Sequence, residues 1–300
     1  MEIKRRRLQE GLIVFKTLRY SLIVMALLLA IPSAGISQSL GADQLGGYIS
    51  SLDRLELLSR VYPLVPPDSL EKKASQPTPG MTFGTPTAFG ASQRQGFVGL
   101  SGIAYLDNNA TNNDVDGSMS FGAGFGDAEE MVGLETSVGI ISLRDNFADS
   151  GSVGLKLHKI IPDTNGVGVA LGWSNALNWG DAKKTEDTIY AVTSKTFILR
   201  PEARNWRLLS ASIGVGTGTF RTIDDVVADD NKLNIFGSIG VQILPQLSLA
   251  SSWTGSQLNV GIGLAPFDFP LTATIGFNDV SEEKKQGTAF SGNVGYAFSF

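Results

Sequence analysis

The last thirteen residues, "TAFSGNVGYAFSF" (288–300), alternate between large apolar and small or polar side chains. The large apolar positions are Phe290, Val294, Tyr296, Phe298 and Phe300. Alternation with a period of two predicts a β-strand that has one apolar and one polar face. A soluble domain usually ends in a frayed polar tail, so this terminus indicates a strand whose apolar face meets something other than water.

The same two-residue period fills the chain from residue 96 onward. The stretch "GVGVALGWSN" (166–175), for example, sets a face of Val, Val, Leu and Trp against a face of Gly, Ala and Ser. The pattern predicts twelve strands, at approximately 95–106, 116–126, 130–142, 150–161, 165–176, 187–199, 205–219, 232–244, 246–254, 257–265, 270–278 and 288–300. The first is the weakest in phase, because its apolar residues do not keep to one parity. The sixth is also irregular, and its apolar face is predicted to carry Tyr190, Val192 and Ile198.

The connections between the predicted strands alternate in length. Long polar links alternate with short ones such as "PDTN" and "LP", and the short link around Gln257 is the exception. The long links lie at 107–116, 143–150, 177–187, 220–231 and 279–287. A chain that weaves up and down between two unlike sides produces this alternation.

The two faces of these strands suit a lipid bilayer. The polar face has few of the charges that protect soluble sheets, and spanning strands must close into a barrel because no backbone group can stay unpaired. We therefore predict an all-β fold, a transmembrane antiparallel up-and-down barrel of about twelve strands over 95–300. Aromatic residues near strand ends are candidates for the interfacial girdles: Phe125, Trp173, Trp253, Phe277, Phe298 and Phe300. The alternative, a secreted β-solenoid, would need a repeat of roughly 20–30 residues, and the sequence has none.

The N-terminal part of the chain is organised differently. Residues 1–37 place basic residues before the apolar run "SLIVMALLLAI" and the small-residue stretch "PSAGISQS", which is the pattern of a secretory signal peptide. An uncleaved anchor helix is the alternative. Residues 38–94 are predicted to form a short periplasmic helix, with helical spacing over 43–62, and then a flexible linker rich in Pro, Ser, Thr and Gly.

Charge and composition narrow the functions further. The chain has no cysteine, which removes disulfides, thiolate metal sites and cysteine nucleophiles. Loss of residues 1–37 removes six basic and two acidic side chains and leaves 18 Lys and Arg against 27 Asp and Glu, so the formal charge changes from −5 to −9. Nucleic-acid binding needs a basic surface, and we expect no nucleic-acid partner.

The C-terminal stretch "NVGYAFSF" resembles the last strand of bacterial outer-membrane β-barrel proteins, whose final residue is typically Phe. The motif covers about ten residues, and the architectural resemblance covers 95–300. The resemblance implies a porin-like class of protein, both barrel ends in the periplasm, and a terminal strand read by the barrel assembly machinery. It implies that Tyr296, Phe298 and Phe300 form this assembly signal.

The phase of the strands predicts which ionisable side chains face the lumen. These are Glu135, Lys156, His158 and Lys195, and a charged ring in the lumen tunes solute selectivity. The alternative is that they are solvated or paired in a polar interior. Many lumen positions are glycine, which leaves space for water and small solutes or for a plug formed by 43–62.

Catalysis and metal binding have weak support in the sequence. His158 is the single histidine, and no Ser, Asp or Glu pattern around it resembles a hydrolase motif. The acidic links 107–117 and 224–231 carry oxygen ligands of the kind calcium prefers, but their spacing fits no EF-hand loop. We therefore predict no enzymatic activity, no cofactor and no metal site.

The favoured function is a porin-like channel in the bacterial outer membrane for passive diffusion of small hydrophilic solutes. Its expected partners are outer-membrane lipid, the assembly machinery and those solutes. The alternative is a non-conducting surface protein, adhesive or structural, that acts through its outer loops. A membrane-embedded hydrolase is the third hypothesis.

Overall fold

The computed structural model describes residues 77–106, 117–141, 147–184, 187–199, 207–282 and 287–300. The predicted signal peptide and the predicted helix at 43–62 lie outside these residues, as does the acidic link 107–116.

Twelve strands form one closed antiparallel barrel in which each strand pairs with its neighbours in the sequence and β1 pairs with β12. The strands are β1 Gln95–Tyr105, β2 Gly117–Phe125, β3 Gly133–Ile140, β4 Gly151–Ile160, β5 Val167–Trp179, β6 Thr188–Leu199, β7 Arg207–Gly216, β8 Asn234–Leu244, β9 Leu247–Trp253, β10 Leu258–Leu264, β11 Leu271–Asn278 and β12 Ala289–Ser299. This closed twelve-stranded antiparallel sheet confirms the predicted fold class. Closure leaves no strand edge with unpaired backbone groups.

Alternate residues of each strand point to opposite sides of the barrel wall. In β9, Ser248 and Ser252 face the lumen and are buried, while Leu249 and Trp253 face outward and are exposed. The same phase repeats around the barrel, so the exterior is a belt of exposed Leu, Ile, Val and aromatic side chains. A soluble protein rarely exposes so large a continuous apolar surface.

The barrel closes between the first and last strands. Their register runs without interruption from Gln95 opposite Ser299 to Tyr105 opposite Ala289. All six predicted girdle aromatics are exposed, at Phe125, Trp173, Trp253, Phe277, Phe298 and Phe300. The C-terminal strand therefore has the predicted phase, with its aromatic residues outside.

The two ends of the barrel differ. At the short-turn end, links such as 245–246 join the strands, and β1 begins and β12 ends there. At the long-loop end lie two 3-10 helices, Gly180–Lys184 and Gly218–Phe220, and the five-residue helix α1, Ile223–Val227. In the described part of the chain, no helix has the length and apolar character needed to cross a membrane.

Strand β6 differs from its prediction in phase. Tyr190 and Val192 face the lumen and are buried, whereas Ile189 and Phe197 face outward and are exposed. The prediction that Tyr190 and Val192 lie on the outer face was wrong. The reason is that the inner face of β6 packs against other apolar groups inside the barrel, so hydrophobicity does not distinguish the two sides of this strand.

Candidate functional site

The lumen is occupied by the chain itself. Residues 77–93, which we call the lumen segment, lie inside the barrel and lead directly into β1. Several of its side chains are almost fully buried, among them Thr82, Phe83, Thr85, Ala88 and Ala91. The sequence predicts that residues 77–93 belong to a flexible periplasmic linker. They lie inside the barrel instead, so this part of the prediction was wrong.

The first half of the lumen segment runs along β9 and β10. Ser248 donates a hydrogen bond to Gly80 O, and Ser252 donates one to Phe83 O. Since Ser248 lies near the short-turn end and Ser252 near the long-loop end of β9, the segment rises along this strand. It then reverses in a turn in which the hydroxyl of Thr82 donates to Thr85 O at 3.0 Å.

Phe83 is the main apolar anchor of this half. A Cβ added to Gly261 would lie 2.7 Å from the Phe83 ring, and one added to Gly276 would lie 2.9 Å from it. Both glycines face the lumen on neighbouring strands, β10 and β11. Because these two positions have no side chain, they leave a pocket in the wall that the Phe83 ring fills.

The second half returns along β6 and β5 toward the short-turn end. Ala88 N donates a hydrogen bond of 2.8 Å to Ser194 Oγ. The Cβ of Ala88 lies 3.2 Å from the position that a Cβ on Gly168 would take. The segment thus touches the wall through backbone groups and small side chains on both sides of the lumen.

Three ionisable side chains, Glu135, Lys156 and His158, hold the backbone of residues 89–91. Ala91 N donates to Glu135 Oε2 at 2.8 Å, and Lys156 Nζ donates to Phe89 O at 2.6 Å. Lys156 Nζ also lies 3.6 Å from Glu135 Oε1, with both side chains almost fully buried. We call these three residues the clamp.

His158 completes the clamp. Its Nε2 lies 3.0 Å from Ala91 O, and a carbonyl oxygen only accepts, so Nε2 carries the hydrogen. Because Nε2 carries a hydrogen and donates it to Ala91 O, this nitrogen has no free lone pair with which to accept a proton as a general base. The geometry around His158 is that of a support for the lumen segment.

The clamp contains three of the four side chains predicted to face the lumen, namely Glu135, Lys156 and His158. They are paired in the interior, as the alternative interpretation held, and a role in selectivity stays a prediction. Lys195 was placed wrongly: it lies on the outer face of β6, where its ammonium donates to Thr164 O at 3.2 Å and lies 5.3 Å from the centre of the Phe197 ring. The phase error on β6 explains this difference.

An aromatic cluster narrows the lumen near the long-loop end. The 3-10 helix Gly218–Phe220 turns inward, and the Phe220 ring stacks on Phe236 with 4.0 Å between ring centres. Tyr190 meets both rings edge-on at 6.2 Å. This packing is the physical reason for the apolar inner face of β6.

The lumen segment shields much of the inner wall from water. Exposed fractions are 0% for Ser248 and 1% for both Asn259 and Thr274. Inner-face residues at the long-loop half of β1, such as Ser101, are only half-buried. The space that the lumen glycines leave is thus filled in large part, by residues 77–93 at positions such as Gly261 and Gly263 and by rings of the barrel itself at positions such as Gly172 and Gly214. The suggested plug at 43–62 lies outside the described residues.

The acidic link after β7 is organised as a capped helix. Thr222 accepts a hydrogen bond from Asp225 N at 3.2 Å, and Asp225 Oδ2 accepts from the hydroxyl of Thr222 and the amide of Asn234. These hydrogen bonds, with Lys232 at 3.2 Å, hold the pKa of Asp225 well below its ordinary value. The pKa of Lys232 is raised, chiefly by its hydrogen bond to Asp230. Within the described residues, no three His, Asp or Glu side chains converge as metal ligands would.

The alternation of the strands correctly predicted that the clamp residues face the lumen, but it did not predict that residues 77–93 fill it. Its composition, rich in Pro, Thr, Ser and Gly, is also that of an exposed linker. A usable signal was the abundance of glycine on lumen positions such as Gly261, because glycine on a strand also marks a close approach of another backbone.

The fold and the lumen define a closed 12-stranded antiparallel barrel with an apolar exterior and an internal segment. The solved structure of the COG4313 outer membrane channel from Pseudomonas putida F1 is similar, with 10% identity, a TM-score of 0.38, and coverage of 68% of this chain and 94% of that one. The outer membrane protein Omp33 of Acinetobacter baumannii is also similar, with 11% identity, a TM-score of 0.39, and coverage of 68% and 98%. No family model and no curated protein matches the sequence.

Proposed function

We propose that this protein is an outer-membrane channel for small hydrophilic solutes that its own lumen segment closes. The membrane location follows from the apolar belt, which includes Leu171 at 62% and Ile213 at 60% exposure. Such a belt around a closed barrel suits lipid and not water.

The observation that carries the channel proposal is the chemistry of the contact between the segment and the wall. The wall offers Ser, Thr, Asn and Gly, and it holds the segment through hydrogen bonds such as those of Ser194, Ser248 and Ser252. Each neutral bond contributes a net of about 0.5–1.5 kcal/mol, because water replaces the partner when the bond breaks. A hydrophilic wall of this kind remains compatible with water when the segment leaves.

A non-conducting barrel is the second candidate. The observation that favours it is the apolar packing inside the lumen, at the Phe83 pocket and in the aromatic cluster of Tyr190, Phe220 and Phe236. Burial of a Phe side chain stabilises by about 1.5–3 kcal/mol. If these contacts never open, the protein acts through its outer surface alone.

A reversible cross-link separates the two candidates. The double variant Ala88→Cys with Gly168→Cys would place two Cβ atoms about 3.2 Å apart, just below the usual disulfide range of about 3.5–4.5 Å. The chain has no native cysteine, so this bond would be the single disulfide. Conductance is measured in a planar bilayer before and after reduction.

We expect the oxidised double variant to be silent and the reduced protein to show openings like those of the Ala88→Cys control. Equal conductance above zero in both states would refute closure by the lumen segment. Silence of every form at every voltage, including variants that weaken the segment, would establish the non-conducting barrel.

A further inference from the structure

The outer face of β6 carries small residues in its middle. Where its neighbours present Leu171 on β5 and Ile213 on β7, β6 presents the small residues Ala191 and Thr193. A groove of about 750 Å³ lies along this part of the exterior. We call it the β6 trough, with Ala191 and Thr193 as its floor.

The walls of the trough are apolar side chains from the flanking strands. They are Leu157, Val169, Leu171, Ile213, Val215 and Ile235. Polar surface is nearly absent in this groove, since Thr193 uses its hydroxyl to donate to Gly168 O at 3.0 Å. The trough therefore has the shape and chemistry of a site for an extended hydrocarbon chain.

Two lysines mark the end of the trough toward the short turns. Lys159 on β4 is opposite Val169, and Lys195 on β6 is opposite Val167. Both point outward. Only β5 separates their strands, and Lys195 lies two residues beyond Thr193, which is level with Lys159. At a strand spacing of about 4.8 Å and a rise of about 3.3 Å per residue, their backbones are about 12 Å apart.

Backbone carbonyls direct both ammonium groups toward the short turns. Lys159 donates to Glu130 O and Met131 O, and Lys195 donates to Thr164 O. An ammonium has three donors, so each retains at least one for an anion. Among the described residues, neither lysine has a carboxylate at ion-pair distance.

We propose that the β6 trough binds one phospholipid with an anionic headgroup. An acyl chain lies over Ala191 and Thr193, and the headgroup phosphate is held between Lys159 and Lys195. The inference rests on the proposed function only in requiring that the barrel exterior faces lipid.

Charge complementarity selects this occupant over a second copy of the chain. A twofold-related copy docked on the trough would bring its own Lys159 and Lys195 toward the same pair, because a twofold interface uses the same patch on both subunits. That arrangement sets like charges against each other in a medium of low dielectric constant. A phosphate at the same place compensates both ammonium groups.

Native mass spectrometry of the full chain in detergent tests the proposal. The protein is titrated with phosphatidylglycerol or with phosphatidylcholine, and the retained lipids are counted. Each lysine near an anionic surface contributes about 1 kcal/mol, which is about a fivefold change in affinity. We expect one bound phosphatidylglycerol, weakened about fivefold by Lys195→Gln and about 25-fold by the double variant with Lys159→Gln.

Two further variants sharpen the test. Lys183→Gln, at the exposed 3-10 helix of the long-loop end, is the matched charge control and should leave binding unchanged. Ala191→Leu with Thr193→Leu fills the trough and should abolish retention of both lipids. The electrophoretic shift between heated and unheated samples checks that each variant forms the barrel.

Equal binding of the two lipids by the wild type, or unchanged affinity in the double lysine variant, would overturn the proposal. A dimer that disappears when the trough is filled would overturn it in favour of a second copy. These results leave the channel proposal standing if the same proteins insert into bilayers and conduct. A barrel that stays monomeric and dissolved without detergent would instead refute the membrane location.

Discussion

Replacing Phe83 with Ala removes the apolar anchor of the lumen segment while leaving the barrel strands unchanged. The ring is 4% exposed and occupies the pocket between Gly261 and Gly276. Because this residue belongs to the segment and not to the wall, the substitution changes the balance between the docked and released segment more than it changes barrel stability.

The structure sets the size of the effect. Phe→Ala at a packed site costs about 3–5 kcal/mol. We use the lower end because Ser252 bonds the Phe83 carbonyl and Asn259 lies beside Gly84, so polar groups are close by and water can replace the ring. About 3 kcal/mol corresponds to roughly a hundredfold rise in the ratio of released to docked segment. Ser252→Ala is the graded control: it removes one hydrogen bond, about 1 kcal/mol, and should raise the ratio about fivefold.

Single-channel recording in planar bilayers measures this ratio as open probability. We expect it to increase from wild type through Ser252→Ala to Phe83→Ala. Gly261→Leu should match Phe83→Ala, because its side chain would occupy the position of the ring. An open probability for Phe83→Ala that equals the wild-type value, or falls below that of Ser252→Ala, would refute the reasoning.

Three other predictions follow from the clamp, the outer loop and the C-terminus. Glu135→Gln removes the negative charge 3.6 Å from the Lys156 ammonium; loss of one partner of a buried pair costs about 3–5 kcal/mol, so open probability should rise in the same recordings, and an unchanged value would contradict the clamp. Because the pKa of Asp225 is lowered in the folded loop, its stabilisation is present above the ordinary carboxyl pKa of about 3.9 and is lost below it. The protection factors of the α1 amides, corrected for the intrinsic exchange rate at each pH, should therefore stay constant from pH 7 to pH 5 and fall below about pH 4; a fall already at pH 5 would contradict this. Deletion of Phe300, the last residue of the predicted assembly signal, should reduce the yield of heat-modifiable barrel in cells, and an unchanged yield would count against that role.

The strands were predictable because each carries its own local pattern. In β10 and β11, alternation alone gave bounds within a residue of those observed, Leu258–Leu264 and Leu271–Asn278. Strand β5 shows where this fails: it continues to Trp179, past Asn175, which has a positive φ of 58°. Trp179 packs where Gly151 on β4 has no side chain, and such a contact between strands leaves no mark in the local sequence.

The phase of β6 could not be read for a similar reason. Alternation assigns a face by assuming that lipid takes the apolar side chains and water takes the polar ones. At Tyr190 and Val192 the inner face meets Phe220, Phe236 and Ala88, which come from other parts of the chain. The wrong phase then misplaced Lys195, although the clamp residues on β3 and β4 were placed on the inner face.

The lumen segment poses a harder problem, because its contacts are made largely by backbone atoms. Gly80 O, Phe83 O, Phe89 O and Ala91 O all accept hydrogen bonds from wall side chains, and a carbonyl is common to every residue type. What the sequence does encode is the complement on the wall, a set of serines and glycines at inward positions. Small residues at inward positions are therefore expected in two different cases: a barrel with an open pore, and a barrel whose wall packs against the backbone of an internal segment. In this barrel Gly261 and Gly276 are of the second kind, because the gap that they leave in the wall holds the Phe83 ring of the docked segment.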